Sequence, residues 1–318
     1  MTSITETVDR RPAPPRPEDT LGEQRQSQRR QFLGAALVVL STAAIAIVPS
    51  FAKLAYEGGS DTLTVITGRS LVTAAVCFLA SVLLGRPLRI PRPALLVGLG
   101  LGALYAVHLY AFLGAVAYQP VNMVVLIYYL HPLMIGIAAV CAGREVMSPM
   151  RLGALAAAFL GMTLAVGFSL EDLSLVGTAF ALVAAFLAAA VIMGSPLAMK
   201  GGDCLVALSF MMLSASTCLV ALCLAQGRIR LPATEVGWLG FGGVAAAHTV
   251  GTITFFIAIP LLGAVRAAMI SNLEPVLGIL FAMMVLGERV SPIQGGGIAL
   301  VIGSIFALEI ARRDARPS

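Results

Sequence analysis

The chain has 318 residues, 58% of them hydrophobic and only 12% charged, with a net charge of +5 and a mean hydropathy of +0.93. A soluble domain carries about 25% charge and about 45–50% apolar residues, so a water-soluble globule is excluded. The basic balance does not point to a nucleic-acid partner either: Lys and Arg are scattered through polar breaks and the N-terminal stretch, the pattern of the positive-inside rule for membrane proteins.

Taken in chain order, residues 1–31 come first, rich in Pro, Arg, Glu and Gln. They lack the apolar core of a signal peptide and read as a disordered cytoplasmic tail. A spanning helix needs about 20 apolar residues. On that measure about ten spans follow, at approximately 33–54, 63–84, 95–117, 120–142, 150–168, 175–197, 204–226, 236–258, 263–286 and 291–311. Residues 312–318 form a second short tail. The runs do not alternate with a period of two, so helices are expected rather than a barrel. Most breaks carry proline or glycine. With the N-terminus inside, the inner loops hold Arg86, Arg89, Arg92, Arg144, Arg151 and Lys200, and the outer ones hold Lys53, Arg228, Arg230 and Arg289. Both termini are then cytoplasmic. The five cysteines form no CxxC pair and lie mostly inside apolar runs.

A shift of 143 positions aligns the chain with itself. YLHPLMIGIAAVCAGREVMSPMRLG falls on NLEPVLGILFAMMVLGERVSPIQGG without a gap, with Pro132 on Pro275, Glu145 on Glu288, Ser148-Pro149 on Ser291-Pro292 and Gly153 on Gly296. Each unit, 32–168 and 175–311, holds about five spans, and an odd number inverts the second copy relative to the first. The expected fold is therefore an all-α integral membrane protein of about ten transmembrane helices in two inverted five-helix repeats. In secondary transporters such repeats enclose a site near the bilayer midplane.

The two LxP…(G)xE-xx-SP-xxx-G blocks, with VPSFAKLA in the first span and Arg69 early in the second, resemble the EamA transporters of the drug/metabolite transporter superfamily. The resemblance covers nearly the whole chain after the tail. It implies a ten-helix carrier with a central cavity, often an exporter of amino acids, related metabolites or drugs.

An ionisable group at the bilayer centre costs about 2.5–3.5 kcal/mol on insertion scales, so each one inside a span asks for a reason. Glu274 lies about ten residues into its span, roughly 15 Å deep at about 1.5 Å per residue. Its mate under the shift is His131, so a carboxylate and a histidine stand at equivalent depth. Such a pair could exchange a proton or hold a substrate ammonium. The alternative is a structural role for Glu274, serving backbone groups that Pro275 frees. His108 and His248 also fall inside spans, and Tyr105 is the mate of His248.

Tyr128 precedes His131 by three residues, as Ser271 precedes Glu274. On a continuous helix that spacing shares a face, and at most one of Tyr128 and Tyr129 could then lie against His131. Lys53 and Arg69, near outer span ends, either snorkel or contact an anion in the outer vestibule. Arg266 has the same two readings on the inner side. Pro132, Pro275, Glu145 and Glu288 read as structural, the glutamates capping helix starts.

No metal or cofactor is expected, since HxxxH, HxxE and GxxxxGK[ST] are all missing from the sequence. The leading expectation is a secondary carrier of the inner membrane, monomeric or homodimeric, moving a small organic solute by alternating access with protons as a candidate coupling ion. A membrane enzyme acting on a lipid or isoprenoid, and a channel, are the alternatives. GxSxG and HExxH do not occur.

Overall fold

Long apolar runs can satisfy their backbone groups in lipid only as helices or closed barrels, and the computed structural model of the chain is built of helices. It describes residues 17–143, 149–167, 173–227, 229–286 and 291–314, and no strand occurs among them. The helices are α1 (Pro17–Ala46), α2 (Val48–Glu57), α3 (Thr62–Leu83), α4 (Arg92–Tyr118), α5 (Val121–Tyr128), α6 (His131–Cys141), α7 (Pro149–Val166), α8 (Leu175–Ala198), α9 (Cys204–Gln226), α10 (Glu235–Leu262), α11 (Ala264–Ser271), α12 (Glu274–Leu286) and α13 (Pro292–Asp314).

Among the described residues, seven stretches are long and apolar enough to cross a membrane: Arg25–Glu57, Thr62–Leu83, Arg92–Tyr118, Val121–Cys141, Leu175–Ala198, Cys204–Gln226 and Glu235–Leu262. The other three expected spans fall on α7, on α11 with α12, and on α13. Leu79, Leu83, Leu96, Phe186 and Leu239 are among many large apolar side chains on the outside. In water such a surface would aggregate; in a bilayer it faces lipid tails.

α1 begins at Pro17, and its Glu, Gln and Arg residues are good helix formers that carry the helix ahead of the first apolar run. One expectation needs correction. The eighth span does not end near 258: α10 continues through Pro260 to Leu262 and stops at Gly263, whose φ of 86° suits glycine alone. Glu145 and Glu288 lie outside the described residues.

Proline within a helix strips the carbonyl four residues back of its donor, and lipid offers no water to replace it. Side chains fill the gap. Ser195 Oγ donates to the Ile192 carbonyl at 2.8 Å, the one freed by Pro196, and Cys204 Sγ donates to the Phe256 carbonyl at 3.5 Å, the one freed by Pro260.

The repeat governs the packing. α5 and α11, α6 and α12, and α7 and α13 each start 143 residues apart. α1 packs along α10 as α4 packs along α8, and α4 lies on α9 as α10 lies on α3. The pairs α3–α9 and α7–α13 join each helix to its own mate. Exchanging the two copies therefore maps this set of contacts onto itself, as an inverted repeat requires. Small residues bring the backbones close. A Cβ on Gly161 would stand 2.8 Å from the Gly297 carbonyl oxygen, and one on Gly240 would stand 2.7 Å from the Phe51 carbonyl oxygen. Ser41 Oγ donates to the Gly251 carbonyl at 2.7 Å, and Ser214 Oγ to the Leu99 carbonyl at 2.7 Å, binding α1 to α10 and α9 to α4.

Candidate functional site

The fourth and ninth expected spans are both broken in the middle. α5 gives way to α6 at Tyr129–Leu130, and α11 to α12 at Asn272–Leu273. The two turns are built alike. Leu130 N–H bonds the Ile127 carbonyl and Leu273 N–H the Ile270 carbonyl, both at 3.1 Å. The half-helices then restart with Met134 N–H on Leu130 at 3.0 Å and Leu277 N–H on Leu273 at 2.9 Å. Pro132 and Pro275 explain the breaks, because each removes the N–H that would have continued the ladder.

In the first copy the freed acceptor is the Tyr128 carbonyl, and the His131 ring occupies it with Nδ1 at 3.0 Å. A carbonyl can only accept, so Nδ1 carries the proton and Nε2 of the neutral ring is left with a lone pair. In the second copy a carboxylate stands where the histidine was. Glu274 opens α12, and its carboxylate and the Tyr129 hydroxyl interact electrostatically. A half-helix N-terminus suits a negative charge.

Around these two mates the structure gathers all three histidines of the chain. The Tyr128 ring lies 4.8 Å from His131 and 5.5 Å from His108, centroid to centroid, stacked against the latter. Tyr105 lies 5.4 Å from His108, Phe112 lies 5.3 Å from Tyr128, and Tyr129 lies 5.9 Å from His131. The Tyr105 hydroxyl meets His248 Nε2 at 3.1 Å. A continuous chain of ring contacts and hydrogen bonds thus runs from His248 on α10 through α4 to the α5–α6 break, where Tyr129 comes under the charge of Glu274 on α12. His131 and Glu274 are joined through Tyr129. Both Tyr128 and Tyr129 lie against His131, contrary to the continuous-helix expectation, because the break between α5 and α6 rotates the second ring onto the same side.

Arg69, on α3, is half-buried, and its Nε is buried without a hydrogen-bond partner among the described residues. Its charge acts through space on Glu274, Tyr105, Tyr128, His108 and His248. Ser271 is half-buried at the second break and donates from Oγ to the Ala267 carbonyl at 2.9 Å. Lys53 is exposed, and Arg266 is half-buried on α11.

Sequence reasoning passed over Thr73 and Thr249, and named Tyr105 and Tyr129 without giving them a place. The usable signal for Tyr105 was its position as the mate of His248. Thr73 offered none, because serine and threonine are ordinary in membrane helices.

Two inverted repeats, each with a broken helix, converging on a polar and aromatic cluster in an apolar surround, define a multi-pass membrane transporter of small solutes. The profile of the EamA-like transporter family matches residues 32–167 and 175–309, so the chain belongs to that family, within the drug/metabolite transporter superfamily. A solved crystal structure is similar in fold, with a TM-score of 0.72 at 19% identity, covering 90% of this chain and 99% of the other. None of the curated proteins compared matches the sequence.

Proposed function

We propose that the protein is a secondary active transporter of the inner membrane that exports a zwitterionic organic solute, an amino acid or a close relative, by alternating access of its two repeats. The observation that carries the reading is the arrangement around the breaks. A carboxylate, Glu274, stands on one repeat and Arg69 on the other, a guanidinium whose buried Nε has no hydrogen-bond partner among the described residues, with the Tyr105–His108–Tyr128–His131 wall in the same cluster. Glu274 takes the solute's ammonium, which an aromatic face also attracts. Arg69 takes its carboxylate, for which a planar fork is the best match. The rings cover the apolar part.

The chain crosses the membrane ten times in this reading, α1 with α2, α5 with α6, and α11 with α12 each counting as one bent span, and both termini are cytoplasmic. Glu274 is also the group that binds the coupling proton, because a carboxylate in a dry midplane can hold solute ammonium or a proton but not both. The test is uptake of labelled amino acids into proteoliposomes under an imposed pH gradient. Wild-type transport should follow the gradient, and Glu274→Gln should lose that dependence. Unchanged gradient coupling in the variant sinks the proton role. Unchanged amino-acid affinity in Arg69→Lys sinks the zwitterion.

A further inference from the structure

His248 has three polar side-chain partners in the cluster, and solute recognition as argued above does not use it. It is 3% exposed. Its Nδ1 lies 3.1 Å from Thr73 Oγ1, and its Nε2 lies 3.1 Å from the Tyr105 hydroxyl and 3.4 Å from Thr252 Oγ1. Thr73 Oγ1 in turn lies 2.8 Å from the Arg69 carbonyl and 2.9 Å from Thr249 Oγ1.

The protons in this network can be assigned. The Arg69 carbonyl only accepts, so the single Thr73 hydroxyl proton goes to it. Thr73 Oγ1 is then an acceptor towards His248, and Nδ1 must carry the ring proton. The lone pair on Nε2 receives the phenolic proton of Tyr105. One imidazole on α10 therefore holds two separate parts of the cluster. Through Tyr105 it holds the ring of α4 that lies against His108. Through Thr73 it holds the turn of α3 that carries Arg69.

The place of this contact matters. Positions 105 and 248 are equivalent under the 143-residue repeat. Equivalent positions that touch one another lie at the pseudo-two-fold axis. When the two inverted repeats exchange conformations, everything off the axis changes partners, but a contact on the axis maps onto itself. The Tyr105–His248 bond is thus the part of the cluster that both access states can share.

We propose that His248 is a positioning residue for solute recognition: from the pseudo-two-fold axis it keeps the Tyr105 ring in place in both access states, and in the state described it also holds the Arg69 turn in register with that ring. This rests on the reading of the cluster as the solute site. It assigns His248 no contact with solute and no proton transfer.

Two measurements test it, with phenylalanine as the probe. The first is ¹⁵N NMR of the histidine-labelled protein, which has 3 histidines and so few signals to assign. His248 should be protonated on Nδ1. Tyr105→Phe should move the Nε2 resonance and spare Nδ1, and Thr73→Val should do the reverse. The second is counterflow of labelled phenylalanine. Tyr105→Phe and Thr73→Val should each raise KM about five- to tenfold, the scale of one lost hydrogen bond, at unchanged maximal rate. Tyr105→Phe should add nothing on top of His248→Leu, and His248→Gln, whose amide oxygen can still accept from Tyr105, should recover part of the loss. If His248→Leu does not fold, the KM shifts of the two isosteric variants decide between the outcomes.

A proton on Nε2 in the wild type, a fall in maximal rate at constant KM, or additive effects of Tyr105→Phe and His248→Leu would overturn the proposal. The reading of the cluster fails separately, if Glu274→Gln and Arg69→Lys leave KM unchanged. If the wild type takes up no phenylalanine, the zwitterion reading falls and the NMR measurement alone judges the imidazole.

Discussion

Replacing His131 by phenylalanine keeps a ring against Tyr128, now 4.8 Å away, but removes the imidazole donor to the Tyr128 carbonyl. That carbonyl has no backbone partner to fall back on, since the residue four positions ahead is Pro132. Tyr128 packs in an apolar cluster with Leu126, Met162, Val276 and Val125, an environment that offers few partners to replace the bond. An unpaired buried acceptor costs about 1–3 kcal/mol, and the loss should fall in that range. The partner variant is Pro132→Ala, which restores an N–H at the position where the helix ladder needs it. In that background the same His131→Phe change should cost little, leaving a coupling energy of about 1–2 kcal/mol, well beyond the scatter of independent sites of about 0.3–0.5 kcal/mol. Unfolding by SDS titration from bicelles, followed by circular dichroism, reads all four members of the cycle. Equal cost of His131→Phe in both backgrounds would refute the account of the break, because the histidine would then not be standing in for the N–H that proline lacks.

Two further outcomes follow from the packing. Gly297→Val should destabilise by about 1–3 kcal/mol in the same titration through overpacking, because a Cβ there would lie 2.5 Å from the Gly161 carbonyl oxygen and from the Ala165 nitrogen, whereas Gly295→Ala meets nothing within 4 Å and should be close to neutral. Asp203→Ala should cost about 1 kcal/mol through the lost cap, since its carboxylate accepts from Leu205 N–H at 2.9 Å and Val206 N–H at 3.4 Å. Arg86→Ala should be nearly silent by comparison, because the Arg86–Asp203 pair at 3.3 Å leaves the arginine 52% exposed and screened by solvent. A larger loss for Arg86→Ala than for Asp203→Ala would reverse that ranking.

Much of this was legible in advance because lipid is an unforgiving solvent. The helical runs, the 143-residue repeat and the family follow from residue types alone, and a carboxylate beside a proline in a greasy stretch marked Glu274 as a candidate. His131 was marked as its mate, and the structure links the two through Tyr129. The breaks were less legible. Pro132 and Pro275 were visible, but an interior proline can kink a helix or be carried straight through it, as Pro260 is carried by α10. Whether the ladder parts depends on what can serve the freed carbonyl.

Arg69 shows the same division. Near the start of its span it read as a residue that snorkels or lines an outer vestibule; in the fold it is half-buried, with its charge reaching Glu274. The sequence by itself determined the solvent, the helices, the duplication and the short set of charges that a membrane tolerates only for a reason, since each is a one-body cost of placing a residue in lipid. The tertiary structure decided which of those groups meet. Thr73 and His248 are 175 positions apart and Tyr105 and His248 are 143 apart, and only the inverted packing of the two repeats brings them within a hydrogen bond.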